Sequence, residues 1–304
     1  MPVVDLSTAD AGPALIAALH SHASALLVGH GVDPALRRRV IELSRAFFAL
    51  PEDDKERVRW DGTGPWSGWQ PVYRGTAELT GDRVPDLLER FECQELDSFA
   101  RWPAELADFA AAWTAYYQAA GALASRLVVL AAEVLDLPEA DLPAWTDGQF
   151  ANLVANHYLP QPEPPLPGQT RVGAHTDRGG ITLLTSDEAP GGLEVRPTGR
   201  GWTPVVIPED AYVVQIGDLF SRWTNRRVRA NVHRVVNPPR EVAAGASRLS
   251  LVYFHYPALD TLVEPAPSCV DAEHPATAPL LAGEHLFRRQ EAFKAGVEER
   301  YALT

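Results

Sequence analysis

A double-stranded β-helix core with flanking helices is the fold this sequence predicts, a mainly β arrangement of the jelly-roll or cupin type. Three observations predict it. From Gln149 onward the chain breaks into short runs that favour strands: FANLVANHYLP, VGAHTD, ITLLTS, GLEVRP, WTPVVI, AYVVQIGD, RVRANVHRVVN and RLSLVYFHYP. Turn stretches separate them at short intervals, among them PQPEPPLPG, EAPGG, TGRG and NPPREVAAGA. No helical stretch is needed between these strands, which argues against a parallel α/β sheet, whose neighbours require long crossovers.

The remaining elements follow in order. PVVDLS alternates as a short strand, Ala11 to Ala25 has helical texture, and LLVGHG reads as a strand ending in a glycine turn. Asp33 can cap the next helix with Pro34 at its first position, and Leu36, Val40, Leu43 and Phe47 recur at helical spacing through Phe48. LLERFECQEL enters a strand with Phe91 and Cys93 on one side. Ala104 to Leu137 is the longest helical stretch, with Leu123, Leu127, Leu130 and Val134 as its buried stripe and Leu-Pro as its end. A short helix is expected from Pro138 to Trp145 and a last one from Glu284 to Arg300. The expected division is a helical and mixed region at 1–148, the β core at 149–258, and a tail with its helix at 259–304.

Composition bounds the function. The net charge of −13 argues against a nucleic-acid partner, which needs a basic surface. It also means that a site for an anion must concentrate positive charge locally. The two cysteines, Cys93 and Cys269, could form a bridge but make no framework, so a reducing, cytoplasmic setting is expected. MPVVDLSTAD has no basic stretch followed by an apolar core, and no run approaches the roughly 18 apolar residues of a membrane span. The expected partner is a small-molecule substrate, with no nucleic acid and no membrane, and the expected state is a monomer.

The chemistry concentrates between Arg171 and Tyr256. His175 and Asp177 stand two apart and share a face if the chain is extended; His233 follows after 57 residues, far enough for several strands to intervene. Two imidazoles and one carboxylate are the ligand set of a non-haem Fe(II) site with open positions. Arg248 and Ser250 are again i and i+2. A guanidinium fork fits a carboxylate in bidentate fashion, and a hydroxyl adds one donor. Continuing that alternation puts Val252 and Phe254 on the same face, so Phe254 either reaches a cavity or packs in the core. The stretch WDGTGPWSGWQPVYRG is unusually aromatic. It is read either as a loop tucked over the core or as a substrate wall in which Trp66, Trp69 and Tyr73 touch the substrate and Arg74 meets a polar or anionic group.

The ordered set H-x-D, distal H, R-x-S, with flanks GAHTDRGGITLL, GGLEV, QIGDLFSRWTN and VHRVVNP, resembles the isopenicillin N synthase-like family of Fe(II)- and 2-oxoglutarate-dependent oxygenases. PVVDLS, VGHGVDPA and SRAFFALPEDDKERV extend the resemblance over nearly the whole chain. It implies that His175, Asp177 and His233 hold iron and that Arg248 and Ser250 hold the distal carboxylate of 2-oxoglutarate. It also implies that Tyr158 joins them and that Asn156 lies near the metal-binding end of the cosubstrate. Leu184 and Val235 are expected beside it. His30 matches a structural turn, and His157 points away from the site. Gln215 departs from the asparagine common in the family's V-N-x-G-D run. The implied reaction consumes O2 and 2-oxoglutarate, releases succinate and CO2, and oxidises an unactivated C–H bond, by default through hydroxylation.

Three other readings share these residues. Isopenicillin N synthase and the ethylene-forming aminocyclopropane oxidase use the fold without 2-oxoglutarate, a zinc hydrolase also accepts two histidines and a carboxylate, and a cupin-like module binds without catalysis. The Ala-, Arg- and Pro-rich composition suggests a GC-rich bacterial gene, and the family's bacterial members often act in natural-product pathways.

Overall fold

The structure is a computed structural model that describes residues 1–62, 66–71, 86–96, 101–187, 189–190 and 192–294. The N-terminal part runs β1 (Val3–Asp5), α1 (Ala11–His22), β2 (Ser24–Val28), α2 (Pro34–Phe48), α3 (Glu52–Glu56), β3 (Ser67–Gln70), β4 (Leu88–Gln94), α4 (Phe109–Leu135) and α5 (Leu142–Thr146). Then come β5 (Phe150–Tyr158), β6 (Val172–His175), β7 (Ile181–Ser186), β8 (Leu193–Arg196), β9 (Thr203–Pro204), β10 (Tyr212–Ile216), α6 (Asp218–Trp223), β11 (Val232–Val235), α7 (Arg240–Ala243) and β12 (Arg248–Tyr256). The chain closes with β13 (Leu262–Val263), β14 (Leu280–Leu281) and α8 (Ala282–Lys294).

Among the described residues an eight-stranded sheet runs β1-β2-β10-β7-β12-β5-β4-β3, and a four-stranded sheet runs β6-β11-β8-β9. Every pairing between these strands is antiparallel except β1 with β2. The two sheets are the walls of the expected double-stranded β-helix. Helix nevertheless exceeds strand, 33% against 25%, so the mainly β character belongs to the core. The N-terminal strands complete that core: β2 pairs with β10, and β4 pairs with β5 along its whole length.

Each strand of the large sheet has two buried faces. The outer face packs on α1, α2 and α4 through Leu249, Leu251, Tyr253, Phe91 and Cys93. The inner face packs toward the small sheet through Leu26, Val213, Leu184, Val252 and Tyr158. Phe47, Phe91, Phe109 and Trp113 form the aromatic centre of the outer core, with ring centroids 4.8 to 5.8 Å apart. Cys93 and Cys269 are free and buried, and burial pushes the Cys93 thiol up to about 12.

Local signals fixed some boundaries and missed others. Asp33 caps α2 as expected, its carboxylate accepting from the Ala35 amide at 2.8 Å with Pro34 in the first turn. Helix α1 stops at His22 rather than Ala25, because Ala23 turns left-handed at φ 55° and Ser24 enters β2. Helix α4 is Phe109–Leu135, ended by Asp136 at φ 52°. Leu123 and Leu127 are buried as expected, but Val134 is 39% exposed, a correction to the expected stripe. At this end α4 crosses α1 where Gly12 allows close approach, since a Cβ there would lie 3.1 Å from Val134 Cγ2. The expectation about apolar runs also needs correction: α4, at 27 residues, is apolar and long enough to cross a membrane. Here it is scaffold, with Trp113, Tyr116 and Leu127 at most 1% exposed.

Candidate metal and cosubstrate site

His175 ends β6 and His233 sits in β11 directly opposite it in the antiparallel register. Asp177 follows two residues after β6. Ligand atoms of the three lie within 4.8 Å of one another. Asp177 Oδ1 is 3.7 Å from His175 Nε2 and 3.8 Å from His233 Nε2. Each imidazole makes the same local contact: His175 Nδ1 lies 2.9 Å from the Gly173 carbonyl, and His233 Nδ1 lies 3.2 Å from the Asn231 carbonyl. A carbonyl only accepts, so both Nδ1 atoms carry the proton and both Nε2 lone pairs face the cluster. Burial first, then the neighbouring His233, pushes the His175 imidazole well below its ordinary range. The ring is therefore neutral, as a metal ligand must be. Asp177 is 5% exposed and its Oδ2 has no partner among the described residues. The donor set fits Fe(II).

Backbone holds the aspartate in place. The Asp218 amide donates to the Asp177 carbonyl at 2.8 Å, and the Gly217 and Leu219 amides donate to Gly180 and Gly179. Such contact needs glycine: a Cβ on Gly217 would lie 2.4 Å from the Gly179 carbonyl oxygen, and one on Gly179 2.5 Å from that of His255. The QIGD run and the RGG run are thus two halves of one clamp.

The carboxylate pocket lies on the inner face of the large sheet. Register places Arg248 opposite Tyr158 and Ser250 opposite Asn156. Arg248 is 2% exposed, yet its Nε and Nη1 have no partner among the described residues, and its guanidinium lies 5.0 Å from the centre of the Tyr158 ring. A charged fork buried without an acceptor is costly unless an anion meets it. Ser250 Oγ lies 3.5 Å from the Tyr158 hydroxyl. Asn156 Oδ1 is buried without a partner there, and Leu184, Val235 and Tyr158 share the apolar cluster around them. These groups fit a short dicarboxylate.

Arg171 is a residue that sequence reasoning missed. It is fully buried, gives hydrogen bonds to the Ala246 and Pro190 carbonyls, and sits 5.5 Å from the Tyr158 ring centre. Burial first, then Arg248, lowers it to about 10. The available signal was an arginine four residues before His175 in otherwise apolar sequence.

The aromatic stretch divides. Trp66 belongs to the inner cluster, with Arg178 5.9 Å and Trp60 5.7 Å from its ring. Trp69 does not line the cavity, which corrects the expectation that it touches substrate. It pairs with Phe91 on the outer face, donates to Glu89 at 2.8 Å and lies under Lys55 at 4.8 Å. Tyr73 and Arg74 lie outside the described residues. Phe254 is half-buried and touches both clusters. His30 and His157 are tied into the scaffold, His30 to the Asp210 carbonyl at 2.7 Å, His157 to Glu89 and Ser247 at 2.8 Å each.

Two walls of strand, a cluster of two imidazoles and one carboxylate, and a buried guanidinium with unmatched donors define a non-haem iron oxygenase. Residues 149–257 match the 2OG-Fe(II) oxygenase superfamily, and residues 1–108 match the N-terminal family of the non-haem dioxygenase in morphine synthesis. Validamycin A dioxygenase from Streptomyces hygroscopicus subsp. limoneus is 33% identical over 279 residues, 84% of this chain and 76% of that protein. The 2-oxoglutarate-Fe(II) type oxidoreductase hxnY of Emericella nidulans is 30% identical over 302 residues, 90% of this chain and 84% of that protein. A full-length Neurospora crassa protein, solved in complex with alpha-KG and thymine, superposes with a TM-score of 0.84 at 26% identity, covering 96% of each chain. The chain belongs to the 2OG-Fe(II) oxygenase superfamily and is a non-haem Fe(II)- and 2-oxoglutarate-dependent dioxygenase.

Proposed function

We propose that the protein hydroxylates an unactivated C–H bond of a small molecule, with His175, Asp177 and His233 as the iron ligands and Arg248, Ser250, Tyr158 and Asn156 as the polar contacts of 2-oxoglutarate. The single observation that carries the cosubstrate assignment is Arg248, buried with Nε and Nη1 unmatched on the face that also carries Ser250. When bound, iron and 2-oxoglutarate supply the oxidising power for C–H cleavage, with succinate and CO2 as co-products. The chain's own part is positioning and exclusion. The two Nδ1–carbonyl contacts aim the imidazoles, the glycine clamp sets Asp177, and the Arg248 fork, stacked on the Tyr158 ring, would hold the distal carboxylate. Leu184, Val235 and Val252 keep water from the cosubstrate. Trp66 and Phe254 stand where a substrate can lie against them, on the inner side.

One chain supplies every one of these groups, which supports a monomer as the working unit. Two free cysteines, both buried, accord with a reducing, cytoplasmic setting. Anaerobic addition of 2-oxoglutarate to the Fe(II)-loaded protein tests the assignment. An optical charge-transfer band is expected in the wild type and its loss in His233→Ala. A wild-type protein that binds Fe(II) but forms no such band would refute the cosubstrate assignment.

A further inference from the structure

The inner face of the large sheet is organised in rows, and the proposed function uses only part of it. Cross-strand register places Ser186, Ser250, Asn156 and Arg90 in one polar row, which borders the carboxylate pocket. The next row along the strands is Leu26, Val213, Leu184, Val252 and Val154, closing on Glu92. Beyond it lies a second polar row, Ser24, Gln215, Thr182, Phe254, Asn152 and Gln94, continuous across six strands. Asn152 is four residues from Asn156 on β5, about 13 Å at the usual strand rise. The second row is therefore distinct from the carboxylate pocket yet on the same wall.

This row is buried and unfinished. Gln215 is fully buried, and neither atom of its amide has a partner among the described residues. Asn152 is 6% exposed; its Nδ2 gives a hydrogen bond to Glu92 Oε2 at 2.9 Å. A carboxylate only accepts, so the amide orientation is fixed and Oδ1 is left without a partner among the described residues. Glu92 is itself fully buried, and its other oxygen lies 3.4 Å from Arg90 Nη1. That ion pair is internally neutral. The row reaches the metal cluster at its other end: Gln215 stands three residues before Asp218, whose amide donates to the Asp177 carbonyl at 2.8 Å. A wall meant for an apolar substrate would not keep an ion pair and two amides out of water, since each unmatched buried polar group costs free energy.

We infer that this second polar row, with the Arg90–Glu92 pair beside it, is the specificity wall for the primary substrate. The substrate is an uncharged ring that carries hydrogen-bond donors and acceptors. The Gln215 amide reads one donor and one acceptor, Asn152 Oδ1 takes a donor, and Phe254 between them takes the ring face. Among the described residues of the two rows, no formal charge is left over for an ionised group to pair with. This inference rests on the oxygenase reading of the same cavity.

The test is a panel of ring compounds with the Fe(II)-loaded full chain, scored by succinate release. Cyclic amides and cyclitols form the hydrogen-bonding arms, and apolar rings of similar size form the third. Calorimetry of the panel against the metal-free protein gives binding without turnover. At least one hydrogen-bonding arm is expected to bind and to stimulate succinate release, and the apolar arm is not. Glu92→Gln and Gln215→Leu are each expected to raise the KM of the active compound at least tenfold while the affinity for 2-oxoglutarate stays within twofold. Asn152→Ala serves if either variant melts below the assay temperature. If the optical band with 2-oxoglutarate never forms in the wild type, the oxygenase assignment falls and this inference with it. If the band forms but only apolar rings are turned over, or no hydrogen-bonding ring is, the substrate class alone is overturned. An unchanged KM in the variants overturns the role of the row.

Discussion

Strands β4, β5 and β12 carry two chemistries on alternate residues. On the outer face Phe91, Cys93, Leu153, Leu249, Leu251 and Tyr253 are all at most 2% exposed and pack on helices. On the inner face Glu92, Gln94, Asn152, Asn156, Arg248 and Ser250 are at most 6% exposed but polar, and Arg90 beside them is 12% exposed at its side chain. Burial is nearly equal, so exposure alone does not separate them. What separates them is whether hydrogen-bonding capacity is used up within the chain. The outer face leaves only ring nitrogens of His255 and Trp113 unmatched among the residues described on it. The inner face keeps unmatched atoms on Arg248, Asn156 and Asn152, and that surplus marks the side where ligands go.

The difference can be broken most severely at the metal. Asp177→Ala or His233→Ala removes one of three ligands. Iron binding, measured by calorimetry or metal analysis, should fall by more than the roughly 10–100-fold that loss of an outer-shell partner costs. The melting temperature should scarcely change. Wild-type iron affinity in either variant would remove that residue from the ligand set.

Outer-face truncations should do the reverse. Phe91→Ala and Trp69→Ala each empty a packed aromatic site, and each should cost roughly 3–5 kcal/mol in urea unfolding. The KM for 2-oxoglutarate and for substrate should be unmoved in whatever fraction stays folded. Trp66→Ala is the paired control, expected to weaken substrate binding by roughly 1–3 kcal/mol through lost apolar burial. Equal kinetic effects of the two tryptophans would erase the division between the faces.

His255 is a titratable group on the outer face, and pH exposes it. It is fully buried with Nε2 2.7 Å from the Trp145 carbonyl, and burial lowers it to about 4. The unfolded chain binds this proton near pH 6.5 and the folded chain only near 4. Stability should therefore fall as pH drops through that window, by roughly 3 kcal/mol by its lower end. Unfolding of wild type and His255→Gln at pH 7 and pH 4.5 checks this: the variant should show the smaller loss, and equal losses would assign the acid sensitivity elsewhere.

The mildest change sharpens the inner face. Arg248→Lys keeps the charge and loses the fork. It should raise the KM for 2-oxoglutarate roughly tenfold or more, since a charge-assisted hydrogen bond contributes about 1.5–3 kcal/mol. Ser250→Ala should do less. Arg248→Met adds a structural readout: the ligand-free protein should melt no lower than wild type, because the charge it removes has Nε and Nη1 unmatched.

Sequence by itself determined what strand periodicity and residue chemistry can encode locally. Arg248 and Ser250 share a face because side chains alternate with period two, His175 and Asp177 were legible as ligands by their type and spacing, and the Gly/Pro turns predicted a β core. Ligand types and the cap at Asp33 were legible for the same reason, since each acts within a few residues. Tertiary structure decided the pairings across strands. Only register brings Tyr158 opposite Arg248, sets Arg171 near the same ring, and lines up Gln215, Thr182, Phe254 and Asn152 from four strands. It also sent Trp69 to the helix side and left Trp66 on the cavity side. A one-residue shift in pairing would exchange the two faces, and that shift is set by contacts far apart in the chain, which no local pattern records.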